Sequence, residues 1–210
     1  MEYLTKEEVE KMIKEGKSLK GLDFSFAELD GIDLSGQDLS GAVFTGAELR
    51  NANLEGANLE DAFIADADFS GANFRNANLS RAVLQRVNLR NANFENANMT
   101  KSQLLVCDAS RANFSNAKIT QARLESSKIS NAKLDNADLR YSNLRAVNFK
   151  NSSFVGTKIS YTDMRKAQFQ GAWFENVEAE NVIVYGKAPW LSGSKAELDI
   201  EKIKAPNWDD

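Results

Sequence analysis

The chain has 210 residues, of which 42% are hydrophobic, enough for one domain with a sizeable core. It contains no histidine and a single cysteine, Cys107, which excludes an internal disulfide and a Cys/His zinc cluster. The net charge of −4 hides two opposite regions, because residues 21–70 carry 11 acidic residues and only Arg50, whereas residues 71–170 carry 16 basic and 6 acidic residues.

Residues 1–18 are predicted to form a short N-terminal capping helix. Thr5 and Glu8 have the spacing of a capping box, and Leu4 and Val9 have the spacing of the hydrophobic staple that accompanies it. The segment has no continuous apolar run, so it indicates neither a secretory signal nor a membrane span. We therefore expect a cytoplasmic protein that does not associate with membranes.

Residues 19–184 contain an uninterrupted repeat of five residues. Each repeat is centred on a large apolar residue, and a small residue, usually Ala, stands two positions before it. The centres begin with Phe24, Leu29, Leu34, Leu39 and Phe44, lapse once at Ala109, and end with Ile159, Met164, Phe169 and Phe174. This period belongs neither to a helix nor to a simple strand, whose side chains repeat every 3.6 and every 2 residues.

Segments such as ANLEG, ANLED, ADFSG, ANFRN and ADLRY show a small residue, Asp or Asn, Leu or Phe, and two polar positions. In this pattern the chain resembles the pentapeptide-repeat family, and the resemblance covers residues 19–184. It implies an all-β, right-handed, four-sided β-solenoid of about eight coils, in which four pentapeptides make one coil. The central Leu or Phe and the preceding small residue would then point into the core.

A column of turn-forming residues independently supports a coil of twenty residues. Gly or Asn recurs at this spacing as Gly36, Gly56, Asn76, Asn96, Asn116, Asn136, Gly156 and Asn176. Both residue types tolerate a positive φ angle. The column therefore predicts one corner of the coil where the backbone turns through the left-handed region.

Residues 185–210 are predicted to close the other end of the rod, with short α-helical caps thus at both ends. Ser194 and Glu197 repeat the capping-box spacing, and Trp190 with Leu191 is interpreted as a plug over the last coil. Open ends of a solenoid expose a ring of apolar side chains, which is why terminal caps are expected.

The sequence contains no signature of an enzyme or of a bound cofactor. It lacks a glycine-rich phosphate loop, and without histidine it lacks a Ser-His-Asp arrangement. Cys107 falls on an inward small position, so we interpret it as a buried apolar residue, with a reactive thiol as the alternative. We expect no catalysis, no cofactor and no metal site.

An apolar stripe is predicted on one outward face. Val43, Phe63 and Val83 each precede a core centre and are twenty residues apart, and Leu105 with Val106 continues the stripe nearby. Exposed apolar patches of this kind mark contacts with partners. The alternative is that a terminal segment or a second copy of the chain covers the stripe.

Charged residues form two further candidate surfaces. A candidate acidic surface comprises Asp23, Glu28, Asp30, Asp33, Asp38, Glu48, Glu60, Asp61, Asp66 and Asp68, and Glu55 adds to it. A candidate basic belt comprises Lys118, Arg123, Lys128, Lys133, Arg140, Arg145 and Lys150. The belt could bind nucleic acid or an acidic protein, or it could be an ordinary solvated surface.

The main functional hypothesis is a non-enzymatic scaffold that presents charged and apolar columns on a rigid rod to a protein partner. The family resemblance adds a first alternative, because its quinolone-resistance members resemble a DNA duplex and bind DNA gyrase in its place. Nucleic-acid binding by the basic belt is the second alternative. We expect the protein to be a monomer or a weak dimer.

Overall fold

The computed structural model describes residues 3–185 and 188–189, which begin with helix α1 (Lys6–Lys14). The helix starts at a capping box, in which the backbone N–H of Glu8 donates to the Thr5 hydroxyl and the Glu8 carboxylate accepts from the Thr5 N–H. Val9 is fully buried in the same apolar cluster as the repeat centres, and the Lys6 ammonium donates to the Asp30 carbonyl. Helix α1 therefore lies against the first coil.

The remaining described chain winds into a solenoid with twenty residues per coil. Parallel backbone bridges join residues twenty apart, from Asp23 with Val43 at one end to Asp163 with Ile183 at the other. Each coil has four outward columns, which we number by their first residue in the coil 23–42: the first side begins at Asp23, the second at Glu28, the third at Asp33 and the fourth at Asp38.

Within the residues that the structure describes, regular strands form only on the first and third sides. On the first side, β1 (Phe63–Ala65), β2 (Val83–Gln85) and β3 (Gln103–Leu105) make a three-stranded parallel sheet. On the third side, β4 (Ser153–Val155) pairs with β5 (Trp173–Glu175) in parallel. Single bridges connect the coils elsewhere, so stability depends on contacts between neighbouring coils.

The core is a column of repeat centres with small residues between them. Phe74, Phe94 and Phe114 stack on successive coils with ring centroids 4.7 and 5.0 Å apart, and all three are fully buried. Burying one such ring contributes about 1.5–3 kcal/mol relative to leaving it in water. Ala109, the lapse in the repeat, is also buried at a centre position.

The Gly and Asn column predicted as a left-handed corner is confirmed, and it is one of four such corners. The predicted column does have positive φ, for example 58° at Asn76, but the other three corners have it too. Phe26, Arg81 and Asn91, one at each of these corners, adopt φ angles of 59° to 60°. Corner N–H groups donate to carbonyl oxygens of the next coil, as Arg81 does to Thr100, and these bonds offset the backbone cost of a non-glycine residue.

The C-terminal predictions fall mostly outside the described residues. The capping box at Ser194 and Glu197 and the plug at Trp190 and Leu191 both lie there. In the described part of the chain, no helix is long and apolar enough to cross a membrane.

Candidate protein-binding face

The first side of the solenoid brings the predicted apolar stripe together. Phe63 is bridged to Val43 on the preceding coil and to Val83 on the following coil, so the three side chains form one straight column. Phe63 is 40% exposed, and the two valines are partly buried. We call this surface the stripe side.

The two remaining predicted stripe residues lie at the edge of the same surface. Leu105 is the last residue of β3, in register with Gln85 of β2, and is partly buried. Val106 is the corner residue that follows it and is 59% exposed. All five predicted residues therefore lie on or beside the first side, and Phe63, Val83 and Leu105 belong to its three-stranded sheet.

Two ion-paired corners frame the stripe. Before β1 and β2, the Arg81 guanidinium donates two hydrogen bonds of 2.8 Å to the Asp61 carboxylate, and it also pairs with Glu60. After the same strands, Arg86 donates two bonds of 2.6 Å to Asp66. Each pair is about half exposed, because each member occupies a corner that points away from the core.

These corner pairs change the electrostatics of the acidic surface. The hydrogen bonds from Arg81 lower the pKa of Asp61, and those from Arg86 lower the pKa of Asp66. From the sequence alone, both aspartates were assigned to the candidate acidic surface, and neither arginine was singled out. Their spacing of twenty residues on corner positions is the signal that could have identified the pairs.

The other acidic residues do not form one face. Asp23, Asp33 and Asp38 lie on the first, third and fourth sides, whereas Glu28, Glu48 and Asp68 lie on the second. Arg50 pairs with both Asp30 and Glu48. The predicted acidic surface is thus spread around the rod and is partly neutralised by arginines.

The basic belt is also dispersed. Lys118, Arg123, Lys128 and Lys133 lie on the fourth, first, second and third sides respectively. Four belt members form ion pairs: Arg123 with Glu125, Lys128 with Asp108, Arg140 with Asp138, and Arg145 with Asp163. Within the described residues Lys118, Lys133 and Lys150 form no ion pair. A belt with one residue on each side encircles the rod and does not make a single cationic patch.

Cys107 is not a candidate nucleophile. Its side chain is buried, and its thiol donates to the Leu84 carbonyl at 3.4 Å. Burial raises the pKa of the Cys107 thiol to about 11, so the reactive thiolate is scarce at neutral pH. The interpretation of this residue as a buried apolar group agrees with its position.

An aromatic groove at the N-terminal end was missed by sequence reasoning. Phe26 occupies a corner, is 54% exposed, and packs with Tyr3 at a ring-centroid distance of 5.3 Å. Its ring covers Gly46 on the next coil, where an added Cβ would come within 2.7 Å of the ring. Tyr3 and Phe26, together with Glu28 and Arg50, line an open groove of about 590 Å³. The sequence signal for this groove is the aromatic residue Phe26 at a corner where the next two coils have Gly46 and Asp66.

In residues 3–185 and 188–189, no group of three or more His, Cys, Asp or Glu side chains is placed to hold a metal ion. No curated protein sequence gives a significant match to the chain.

A family model of pentapeptide repeats matches the chain in eight copies, over residues 18–56, 27–64, 67–104, 107–145 and 142–178. Among solved structures, HetL, a protein involved in heterocyst differentiation regulation in the cyanobacterium Nostoc sp. strain PCC 7120, aligns over 93% of this chain and 100% of its own. The identity is 22% and the TM-score is 0.56. QnrB1, a plasmid-mediated fluoroquinolone resistance protein, aligns over 78% of this chain and 91% of its own, with 18% identity and a TM-score of 0.44. The similarity to HetL shows a shared solenoid fold.

Proposed function

Because the chain belongs to the pentapeptide-repeat family, we propose that it is a non-enzymatic scaffold that binds a protein partner through the stripe side. The observation that carries the proposal is the straight apolar column of Val43, Phe63 and Val83, in which Phe63 is exposed and both valines are partly exposed. We further propose that the rod has the right-handed, four-sided form of its family, which would make the stripe side flat.

The arrangement of the stripe side supports protein binding on physical grounds. Protein interfaces commonly have an apolar centre with an aromatic anchor and a polar rim that excludes water. Here Phe63 is the anchor, and the pairs Asp61–Arg81 and Asp66–Arg86 supply the rim. The hydrogen-bonded sheet beneath holds these groups in place, so little conformational entropy is lost when a partner binds.

The two alternatives receive less support from the placement of charge. A DNA mimic needs a continuous negative surface, but Asp61 and Asp66 are paired with arginines and the other acidic residues lie on several sides. Nucleic-acid binding needs a cationic patch, and the belt residues Lys118 to Lys133 occupy four different sides. Both alternatives remain open to direct assay by gyrase supercoiling and by gel retardation at low ionic strength.

The substitution Phe63→Asp tests the proposal, with Trp173→Asp as a matched control. Trp173 occupies the equivalent first strand position on the third side and is 41% exposed, close to the 40% of Phe63. We expect Phe63→Asp to abolish capture of a protein partner in pull-down experiments, because a charge is placed at the centre of the apolar contact. Trp173→Asp should leave capture unchanged. Equal behaviour of both variants and the wild type would contradict the proposal.

A further inference from the structure

The stripe side is complementary to itself when one copy is turned end over end. We propose that it binds a second copy of the same chain, face to face and antiparallel, with the two-fold axis midway between the levels of Phe63 and Val83. This inference rests on the proposed function of the stripe side as a binding surface and names its partner. A two-fold contact of this kind is isologous, so each residue that faces another is faced by it in return.

The register follows from the straight columns of the coil. Because bridged residues are twenty apart, the axis between Phe63 and Val83 places Phe63 of one copy opposite Val83 of the other. Val43 then lies opposite Gln103, which is bridged to Val83 in the same column. The contact therefore covers the exposed Phe63 ring of each copy with Val83 of the other copy.

The corners supply the strongest part of the complementarity. In this register Asp61 of one copy lies opposite Arg81 of the other, and Asp66 lies opposite Arg86 in the same way. Each corner would become an alternating square of two aspartates and two arginines. The Arg86 guanidinium uses its Nε and Nη2 groups on its own Asp66, so N–H groups remain for the second copy.

The ends of the contact are complementary as well. Asp23 and Arg123 lie in the same column as Phe63, two coils before it and three coils after it. The same axis brings Asp23 of one copy opposite Arg123 of the other.

Other arrangements place like charges together. If the two rods were parallel, Asp61 would lie opposite Asp66 and Arg81 opposite Arg86. If the antiparallel axis moved to the level of Phe63, Asp61 would lie opposite itself, and at the level of Val83 the same would hold for Arg81. Like charges in contact are costly and select against a wrong register.

The size of the contact predicts a weak dimer. Six coils overlap, and at about 4.8 Å per coil the contact is about 29 Å long. A narrow face of that length lies at the lower end of the size range of specific interfaces. We therefore expect association at tens to hundreds of micromolar protein, weakened by salt because charge pairs contribute to it.

Charge-reversal variants test the inference by analytical ultracentrifugation of the full chain at low salt. One variant carries Asp61→Arg with Asp66→Arg, and the other carries Arg81→Asp with Arg86→Asp. Each alone should self-associate at least about tenfold more weakly than the wild type, because like charges face each other at both corners. An equimolar mixture of the two should regain association, since arginine of one copy then faces aspartate of the other.

A third variant controls for loss of the pairs within each chain. Combining all four substitutions exchanges Asp and Arg at both corners, which keeps both Asp–Arg pairs within the chain and keeps the face self-complementary. Of the corner contacts, only that of Arg81 with Glu60 is not reproduced. We expect this variant to self-associate like the wild type but not to mix with it. Unchanged circular dichroism and thermal unfolding establish that it is folded.

The outcomes separate this inference from the proposed function. A wild-type chain that stays monomeric at about 500 micromolar and low salt overturns the dimer. The dimer is also overturned if the two charge-reversal variants associate as strongly as the wild type, or if their mixture fails to regain association. If the chain is monomeric but Phe63→Asp still loses a different protein partner, the dimer fails and the proposed function stands. If Phe63→Asp changes no binding at all, both fail.

Discussion

The stripe side and the fourth side of the solenoid share one backbone arrangement but use their outward column differently. The fourth side begins with Asp38 and continues with Asn58, Asn78 and Asn98, whereas the stripe side begins with Asp23 and continues with Val43, Phe63 and Val83. On the fourth side each asparagine amide donates to the side-chain oxygen one coil before it, at 3.0, 3.0 and 3.1 Å. We call this column the asparagine ladder.

The difference shows how one repeat position can serve either stability or recognition. Amide groups of the asparagine ladder satisfy one another along the rod, so they gain little from a partner. Apolar side chains of the stripe form no hydrogen bonds along the rod and leave part of their surface in water. The ladder side chains thus already stabilise the fold. The apolar surface of the stripe side is still exposed, so its burial can stabilise a complex with a partner.

The largest difference is expected in the free energy of unfolding when one residue of each column is truncated. Asn78 donates to Asn58 and accepts from the Asn98 amide and the Ser80 N–H, so Asn78→Ala removes three hydrogen bonds. At about 0.5–1.5 kcal/mol each, we expect a loss of about 2 kcal/mol. Val83→Ala should cost less than about 1 kcal/mol, since the side chain is only partly buried.

Urea unfolding followed by circular dichroism measures both losses. The control is that the urea dependence of the unfolding free energy stays the same in both variants, which shows that the same surface is exposed on unfolding. If Val83→Ala destabilised the protein as much as Asn78→Ala, the stripe would be a structural column and the comparison would fail.

Much of this fold follows from the sequence because the five-residue repeat specifies which side chains are buried. Every fifth residue is large and apolar, and residues such as Phe74 and Phe94 are accordingly buried and stacked. The stripe could also be placed, since Val43, Phe63 and Val83 are twenty residues apart. Knowing the number of residues per coil is enough to align such residues on one side.

The remaining features needed the position of the corners. Arg81 and Asp61 look like unrelated surface charges until both are known to occupy the same corner on successive coils. The residues of the basic belt are five apart, so they are near in sequence but turn to successive sides. Lys118 and Lys133 therefore lie on different sides although both substitute the same repeat position.

A transplanted variant, in which an asparagine ladder is built on the stripe side, is expected to change stability less than Asn78→Ala does. The triple substitution Val43→Asn, Phe63→Asn and Val83→Asn would follow Asp23 in the same order in which asparagines follow Asp38. New amide hydrogen bonds would compensate for lost apolar contacts, so the free energy of unfolding should change by less than about 1 kcal/mol. Binding through the stripe side should be lost.

The control for the transplant is the separation of these two readouts. Thermal unfolding reports the stability, and sedimentation reports the association. A transplanted variant that still associates like the wild type would show that the apolar column is not the contact. A variant that unfolds several kcal/mol more easily would show that the two sides are not interchangeable.

The smallest expected effect is the change in stability at acid pH when a single carboxylate is replaced. Asp33, the first residue of the third side, has its pKa lowered by hydrogen bonds from the Ser35 side chain and backbone N–H, with a further bond from Asn53. Asp61 on the stripe corner has its pKa lowered by the hydrogen bonds from Arg81. A carboxylate with a lowered folded-state pKa stabilises the fold above its unfolded pKa of about 4, and this contribution is lost as pH falls through the folded value.

The two carboxylates should respond differently to salt. The hydrogen bonds to Asp61 join two exposed opposite charges, which salt screens, whereas the donors to Asp33 are the neutral groups of Ser35 and Asn53. Asp33→Asn should flatten the fall in unfolding temperature below about pH 4 at both low and high salt. Asp61→Asn should flatten it only at low salt. If both variants behaved alike in about 1 M NaCl, the corner carboxylates would be held by hydrogen-bond geometry, as the polar columns are, and not by the charge of the arginines. The charge-reversal mixture would then lose its electrostatic basis, so this small effect bears directly on the proposed antiparallel contact.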